Sequence, residues 1–212
     1  MHACDHAAGS ALAASPRIFE NPLLDRMSRV HHFVPLVIYL PPLGVLLWTS
    51  ARTLQGGSVA IAVLAGYLGW TLVEYLGHRF LFHFRPRGSL SARIHFLVHG
   101  VHHDHPNDRL RLVMPPLMSL PIMAAAFGAI FLICGATISL PVFAGFLIGY
   151  LLYDLLHFHV HHAEPRTAMG RFLRNRHMHH HFRDDASWFG VSAPWWDELL
   201  GTSPPRRSEV RK

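Results

Sequence analysis

Four runs of apolar residues dominate the chain, and the polar segments between them are rich in histidine and arginine. The first run covers residues 33–50 and carries Pro41 and Pro42, which predict a break. The others cover 59–77, 117–134 and 142–156. Each approaches the ~20 residues that a membrane-crossing helix needs. The fourth is short unless it starts at Ile138, which predicts tilt or extension into the polar stretch that follows. Short links at 51–58 and 135–141 join the runs in pairs. The expected fold is all-α and integral to a membrane, with about four transmembrane helices in two hairpins. A histidine-rich helical cap then lies on the side of both termini. The division that follows is an N-terminal cytosolic segment, 1–32, a membrane domain, 33–202, and a polar tail, 203–212.

Half of the 212 residues are hydrophobic and 15% are charged, enough for one domain and little for a soluble surface. Mean hydropathy is +0.22. A soluble bundle with buried helices fits the run lengths and the charge asymmetry poorly. All but one of the 19 Lys/Arg residues lie in the N-terminal segment, in residues 79–111 or in the C-terminal segment. Arg52 is the exception. Positive charge marks the cytosolic side of membrane proteins, so the histidine face is expected to be cytosolic. The basic balance therefore points to a membrane rather than to nucleic acid. Two cysteines, Cys4 and Cys134, offer no disulfide framework and no CxxC motif. The first residues lack a basic start followed by an apolar core, so no cleaved signal peptide is expected.

Ten histidines recur at short spacings at the cytosolic ends of the apolar runs. They are His78 and His83; His99, His102 and His103; His157 and His161; and His177, His180 and His181. Spacings of three and four bring side chains together on one helix face. His95 falls on the same stripe as His99, His102 and His103 and reads as a neighbour. His78 and His83 are five apart and converge only if the helix ends between them. His2, His6, His31, His32, His105, His159 and His179 read as ordinary surface or hydrogen-bonded histidines.

Burying ten imidazoles without a common partner would leave many polar groups unsatisfied. Neutral imidazole is a common ligand for first-row metals, and a metal site satisfies these groups together. Ten ligands exceed the needs of one ion, so two metals fit the count. Imidazole alone does not separate zinc from iron. Glu74, four residues before His78, and Asp154, three before His157, are candidates to orient a ring through its second nitrogen. No P-loop, GxGxxG or Ser-His-Asp arrangement is present. A metal-binding or transport protein remains open at this point. Transporters, however, place ligands near the bilayer midplane, whereas these histidines sit at helix ends.

The stretches EYLGHRFLFH (74–83), HFLVHGVHHDHPNDRLRLVMPP (95–116), YDLLHFHVHH (153–162) and RHMHHHFRDDASWFGVSAPWWDELLGT (176–202) resemble the fatty acid hydroxylase superfamily, and within it the fatty acid 2-hydroxylases. The resemblance covers about residues 60–202. It implies a centre of two iron ions that uses O2 to hydroxylate a long-chain fatty acyl group at C2, free or within a lipid such as ceramide. The ten motif histidines are its implied ligands, and zinc is able to occupy such sites in a purified sample. Tyr153 and Asp154 match a Tyr-Asp pair and are implied to line the site.

Many eukaryotic relatives carry a fused cytochrome b5 domain, for which this chain has no room. A separate donor, cytochrome b5-like or ferredoxin-like, is expected to dock on the basic cytosolic face. The missing domain and the Arg- and Ala-rich composition favour a bacterial inner membrane over the endoplasmic reticulum. Trp188, Phe189, Trp195 and Trp196 are expected as anchors at the membrane interface, among its lipids. Oxidation of a sterol, carotenoid or other lipid by the same chemistry is the alternative.

Overall fold

The computed structural model describes residues 11–204. Cys4, His2, His6 and most of the expected C-terminal tail lie outside the described residues. The described residues are helical with no strand. A short helix, α1 (Pro22–Met27), is capped by Asn21, whose side chain accepts from the backbone of Leu23 and Leu24. Three long apolar helices follow in chain order: α2 (Val34–Thr53), α3 (Gly56–Leu76) and, later, α6 (Pro116–His162). All three are long and apolar enough to cross a membrane.

The expected break at Pro41 and Pro42 does not occur, because α2 runs through both. Within a membrane stem, neighbouring helices and local adjustment re-satisfy the backbone groups that proline frees. Between α2 and α3 only Leu54 and Gln55 leave the helix, so the first link is shorter than the expected eight residues.

The 47 residues of α6 would span about 70 Å if straight, more than twice a ~30 Å hydrocarbon core. They do not run straight. Gly135 takes φ 73° and ψ 173°, outside helical geometry, and divides α6 into two arms. Only glycine adopts such a conformation without a Cβ penalty. The arms fold back on each other. Phe127 and Phe143 lie on opposite sides of Gly135, yet their rings are 5.0 Å apart. Tyr39 of α2 likewise hydrogen-bonds Ser119 at 2.8 Å and packs edge-on against Tyr150 at 5.4 Å. The second hairpin is therefore turned by one residue, and 136–141 is helical rather than a loop.

Side chains of α2, α3 and both arms of α6 fill the stem, with Tyr39, Trp70, Phe146, Leu147 and Tyr150 at its centre. The second arm approaches α3 closely. A Cβ on Gly66 would overlap the Val142 carbonyl, and one on Gly145 would overlap the Val63 carbonyl. Gly149 leaves space for the Trp70 side chain. Small residues that let helix backbones touch are the usual means of packing in a membrane.

The cap contains α4 (Ser89–His95), α5 (Val101–Asp104), α7 (Ala168–Phe182) and α8 (Trp195–Leu199). Two π-helical turns complete it, Gly77–Phe82 at the end of α3 and Phe96–Gly100 between α4 and α5.

Candidate metal centre

Both π turns carry histidines. The first explains the five-residue spacing. An i→i+5 ladder adds a residue to the turn, and the His83 N–H donates to the His78 carbonyl at 3.2 Å. His83 is thereby brought under His78, with Nε2 atoms 3.3 Å apart. The expected helix end between the two is not what joins them. The second π turn shifts the register after His95. That ring packs on Phe84 at 5.3 Å and leaves the stripe on which a regular helix would place it.

The ten motif histidines form two groups of five. His78, His83, His99, His103 and His180 make one; His102, His157, His161, His177 and His181 make the other. Within each group the five donor atoms lie within 4.8 Å of one another. In an H-x-x-H-H run the last two side chains point about 100° apart. His103 follows His99 into the first group, while His102 crosses to the second. In α7, His181 follows His177, and His180 crosses to the first. The halves of the chain thus exchange one imidazole each. The groups meet where the His103 and His181 rings stack with centroids 4.2 Å apart. His31, His32, His105, His159 and His179 join neither group.

The hydrogen-bond chemistry of these rings fits a shared cation. His78 Nδ1 donates to the Phe189 carbonyl at 2.6 Å, and His180 Nδ1 donates to the Ser187 carbonyl at 2.6 Å. A carbonyl only accepts, so both Nε2 atoms present bare lone pairs. His83 Nε2 sits 3.3 Å from one and 3.0 Å from the other. A neutral His83 has at most one hydrogen for the two. In the second group His177 Nε2 faces those of His157, His161 and His181 at 3.0, 2.7 and 3.1 Å. One nitrogen cannot hydrogen-bond three others. Metal–nitrogen bonds of about 2.0–2.1 Å place adjacent donors about 3 Å apart, as here. Burial, and then the neighbouring imidazoles, push His99, His102 and His177 well below the usual histidine value. The same causes bring His83 and His103 down to about 3. These rings are neutral at neutral pH, the form a metal requires.

The orienting groups are not the expected carboxylates. Glu74 accepts from the Ser192 N–H at 2.7 Å and from its hydroxyl, and touches no imidazole. Asp154 is buried with Oδ2 free of any hydrogen bond. For His78 and His180 the backbone carbonyls of 189 and 187 take that place. Their loop is held by Asp197, whose carboxylate accepts from Phe189 N at 2.8 Å, Gly190 N at 2.9 Å and the Thr202 hydroxyl at 2.7 Å. Between the two carbonyls Trp188 takes φ 59°, strained for a non-glycine residue. Sequence reading does not see a carbonyl, so these contacts had no signal beyond the aromatic-acidic tail itself. Among the tail's aromatic residues, the burial of Phe189 overturns its expected place at the interface. Phe189 is buried against His78 and His180, Trp188 stacks on Arg176, and Trp196 donates to Thr71. Trp195 alone of the four is exposed.

A mainly apolar cavity of about 270 Å³ opens beside both groups. His99 reaches it from one group and His102 and His157 from the other, with Tyr153 and Asp154 alongside.

Fold and site together define a helical membrane protein with a paired polyhistidine centre able to hold metal ions. The chain belongs to the fatty acid hydroxylase family, whose model, "Fatty acid hydroxylase", matches residues 63–202. Members are hydroxylases, and hydroxylation is an oxidation, so the chain falls among oxidoreductases. It is 33% identical over 198 residues to a dihydroceramide fatty acyl 2-hydroxylase of Arabidopsis thaliana, covering 93% of this chain and 84% of that protein. Fatty acid 2-hydroxylase of Homo sapiens is 31% identical over 217 residues, which cover 92% of this chain and 58% of the human protein. The solved hydroxylase domain of full-length scs7p superimposes with a TM-score of 0.83 at 33% identity. That match covers 88% of this chain and 71% of the other.

Proposed function

We propose that the chain is an O2-dependent hydroxylase that converts C2 of a long fatty acyl group, free or within a lipid such as ceramide, into a hydroxylated carbon. The observation that carries this reading is the apolar cavity touching both histidine groups at His99, His102 and His157. An unactivated C–H bond needs this arrangement of dry space beside a metal centre. The names of the relatives support C2 as the position and acyl lipids as the class.

The ten histidines would hold two iron ions, five donors to each. Bound there, iron supplies the activation of O2. Zinc accepts the same imidazoles and is able to replace iron in a purified sample. The chain's own residues do the rest. The 187–189 carbonyls fix the tautomer of His78 and His180 and aim both Nε2 atoms inward. The apolar lining excludes water from the acyl group. Tyr153 and Asp154 line the cavity beside His157 and orient the substrate there. The balance of the reaction is fixed: one oxygen atom enters the C–H bond and the other leaves as water. Two electrons and two protons are consumed. A separate cytochrome b5-like or ferredoxin-like donor supplies the electrons from the basic face.

The positive-inside pattern supports a multi-pass placement with the cap in the cytosol. Residues 33–202 form the hydroxylase domain, preceded by a cytosolic segment. Lipid mass spectrometry on cells with and without the gene tests the reading. One added oxygen at C2, absent with His180→Ala, is expected. No 2-hydroxy lipid, despite iron loading and a competent donor, would sink it and favour another lipid substrate.

A further inference from the structure

Part of the cavity wall lies outside the stretch that the family model matches. Ile18, Phe19 and Ser28 line it, and all three precede residue 63, where the match begins. They lie on a strap that crosses the cavity before α2 begins. The strap is fastened with care. Asp25 is buried and accepts from Ile18 N at 2.8 Å and Phe19 N at 3.4 Å. The same carboxylate pairs with Arg111 at 3.1 Å and Arg29 at 3.0 Å. Arg111 also donates to the Pro16 carbonyl, and Arg93 donates to the Ile18 carbonyl at 2.8 Å. Val30 N–H reaches the Leu110 carbonyl at 2.6 Å. Removing Asp25 would leave the buried Ile18 N–H without its acceptor and Arg111 without its nearer carboxylate, so the strap is pinned in one place.

Cavity size says what the strap touches. About 270 Å³ holds roughly nine groups at about 30 Å³ each. With C2 at the histidines, the cavity contains only groups within about nine bonds of C2. The rest of a long chain lies outside it. The strap also contributes Ser28, which with Arg111 makes its edge polar, whereas Val113, Met114 and Met118 present apolar surface.

We propose that Ile18 and Phe19 are specificity-determining residues that select the head-group end of the acyl lipid, with Asp25 and Arg111 as the residues that position them. This rests on the hydroxylase reading above and adds the part of the substrate that is read. Discrimination by head group follows, and acyl length beyond the reach of the cavity is left to the bilayer.

The test uses membranes carrying the full chain, loaded with iron and supplied with donor. A ceramide, a phospholipid and a free acid with one common acyl chain compete for hydroxylation. In the Ile18→Ala/Phe19→Ala variant the relative kcat/KM for the bulkier head group is expected to rise roughly tenfold or more, the scale on which a pocket reads a single methylene. Metal content and the ranking of ceramides by acyl length stay as in wild type. Unchanged head-group ratios, or an altered length ranking alone, overturn the proposal. If the double variant does not accumulate, Phe19→Leu and Ile18→Val are read by the same ratio, and no change in either overturns it. Wild-type membranes that form no 2-hydroxy product would remove the hydroxylase reading itself. Active wild type with unshifted variants removes only the role of the strap.

Discussion

His102 and His180 occupy equivalent places in two H-x-x-H-H runs, and each crosses to the group formed by the other half of the chain. Every other motif histidine stays with its own half. The exchange ties the two hairpins together through the site and predicts separable effects. His102→Ala should deplete the group built on His157, His161, His177 and His181. His180→Ala should deplete the group built on His78, His83, His99 and His103. Both should abolish turnover while the protein remains in the membrane. Elemental analysis and metal-edge spectroscopy of the two variants check this. Identical metal loss from both, or full product formation by either, refutes the assignment.

Asp197 touches no imidazole, yet it holds the loop whose carbonyls orient His78 and His180. Asp197→Ala leaves two buried N–H groups without an acceptor, at about 1–3 kcal/mol each. It should also weaken metal retention roughly tenfold or more, the usual scale for a group that supports a ligand. A chelator competition on purified protein measures this. Thr202→Val, which removes one of the three donors to Asp197, should have a smaller effect in the same direction.

The α3–α6 contact is expected to tolerate no side chain at Gly145, because a Cβ there meets the Val63 backbone and not a movable group. Gly145→Ala should destabilise the stem by about 1–3 kcal/mol, the scale of overpacking. Gly128→Ala lies in the other arm with nothing within 4 Å of the new methyl. It should be neutral or stabilising by up to about 1 kcal/mol, from helix propensity alone. Thermal unfolding in detergent compares the two.

Metal-free protein should be acid-sensitive in a defined window. His83 and His103 have folded values of about 3, against an ordinary value of 6.5. Between those limits the unfolded chain binds protons that the folded chain does not. Stability therefore falls as the pH drops from 6.5 toward 3, and is insensitive to these groups above 6.5. Metal-loaded protein resists until protons compete the ligands away. Melting temperatures across this range, with and without chelator, test the sign. A metal-free protein that gains stability on acidification would contradict it.

Much of the molecule was legible in the linear pattern. Run length gave the apolar helices, because a membrane-crossing helix must satisfy its own backbone and so needs continuous apolar sequence. The histidine spacing identified the ten side chains that meet, because three- and four-residue spacing is a property of the helix itself. Their partition was not legible. His102 and His103 are adjacent in sequence and part company only because the second half of the chain supplies four rings beside His102, while His103 stays with three rings of its own half and His180. Glu74 looked like an orienting carboxylate, since it precedes His78 by one turn. The tail from 187 to 202 takes that place instead, and brings carbonyls that no side-chain pattern announces.

The sequence by itself therefore determined the helices and the set of histidines, since each depends on local periodicity or composition. Only the tertiary structure decided which histidines share a group, which carbonyls hold them and where the cavity lies. These depend on contacts between residues far apart in the chain. Three local backbone features made those contacts possible: two π turns that shift a register by one residue, and Gly135, which reverses a helix where the pattern allowed for a loop.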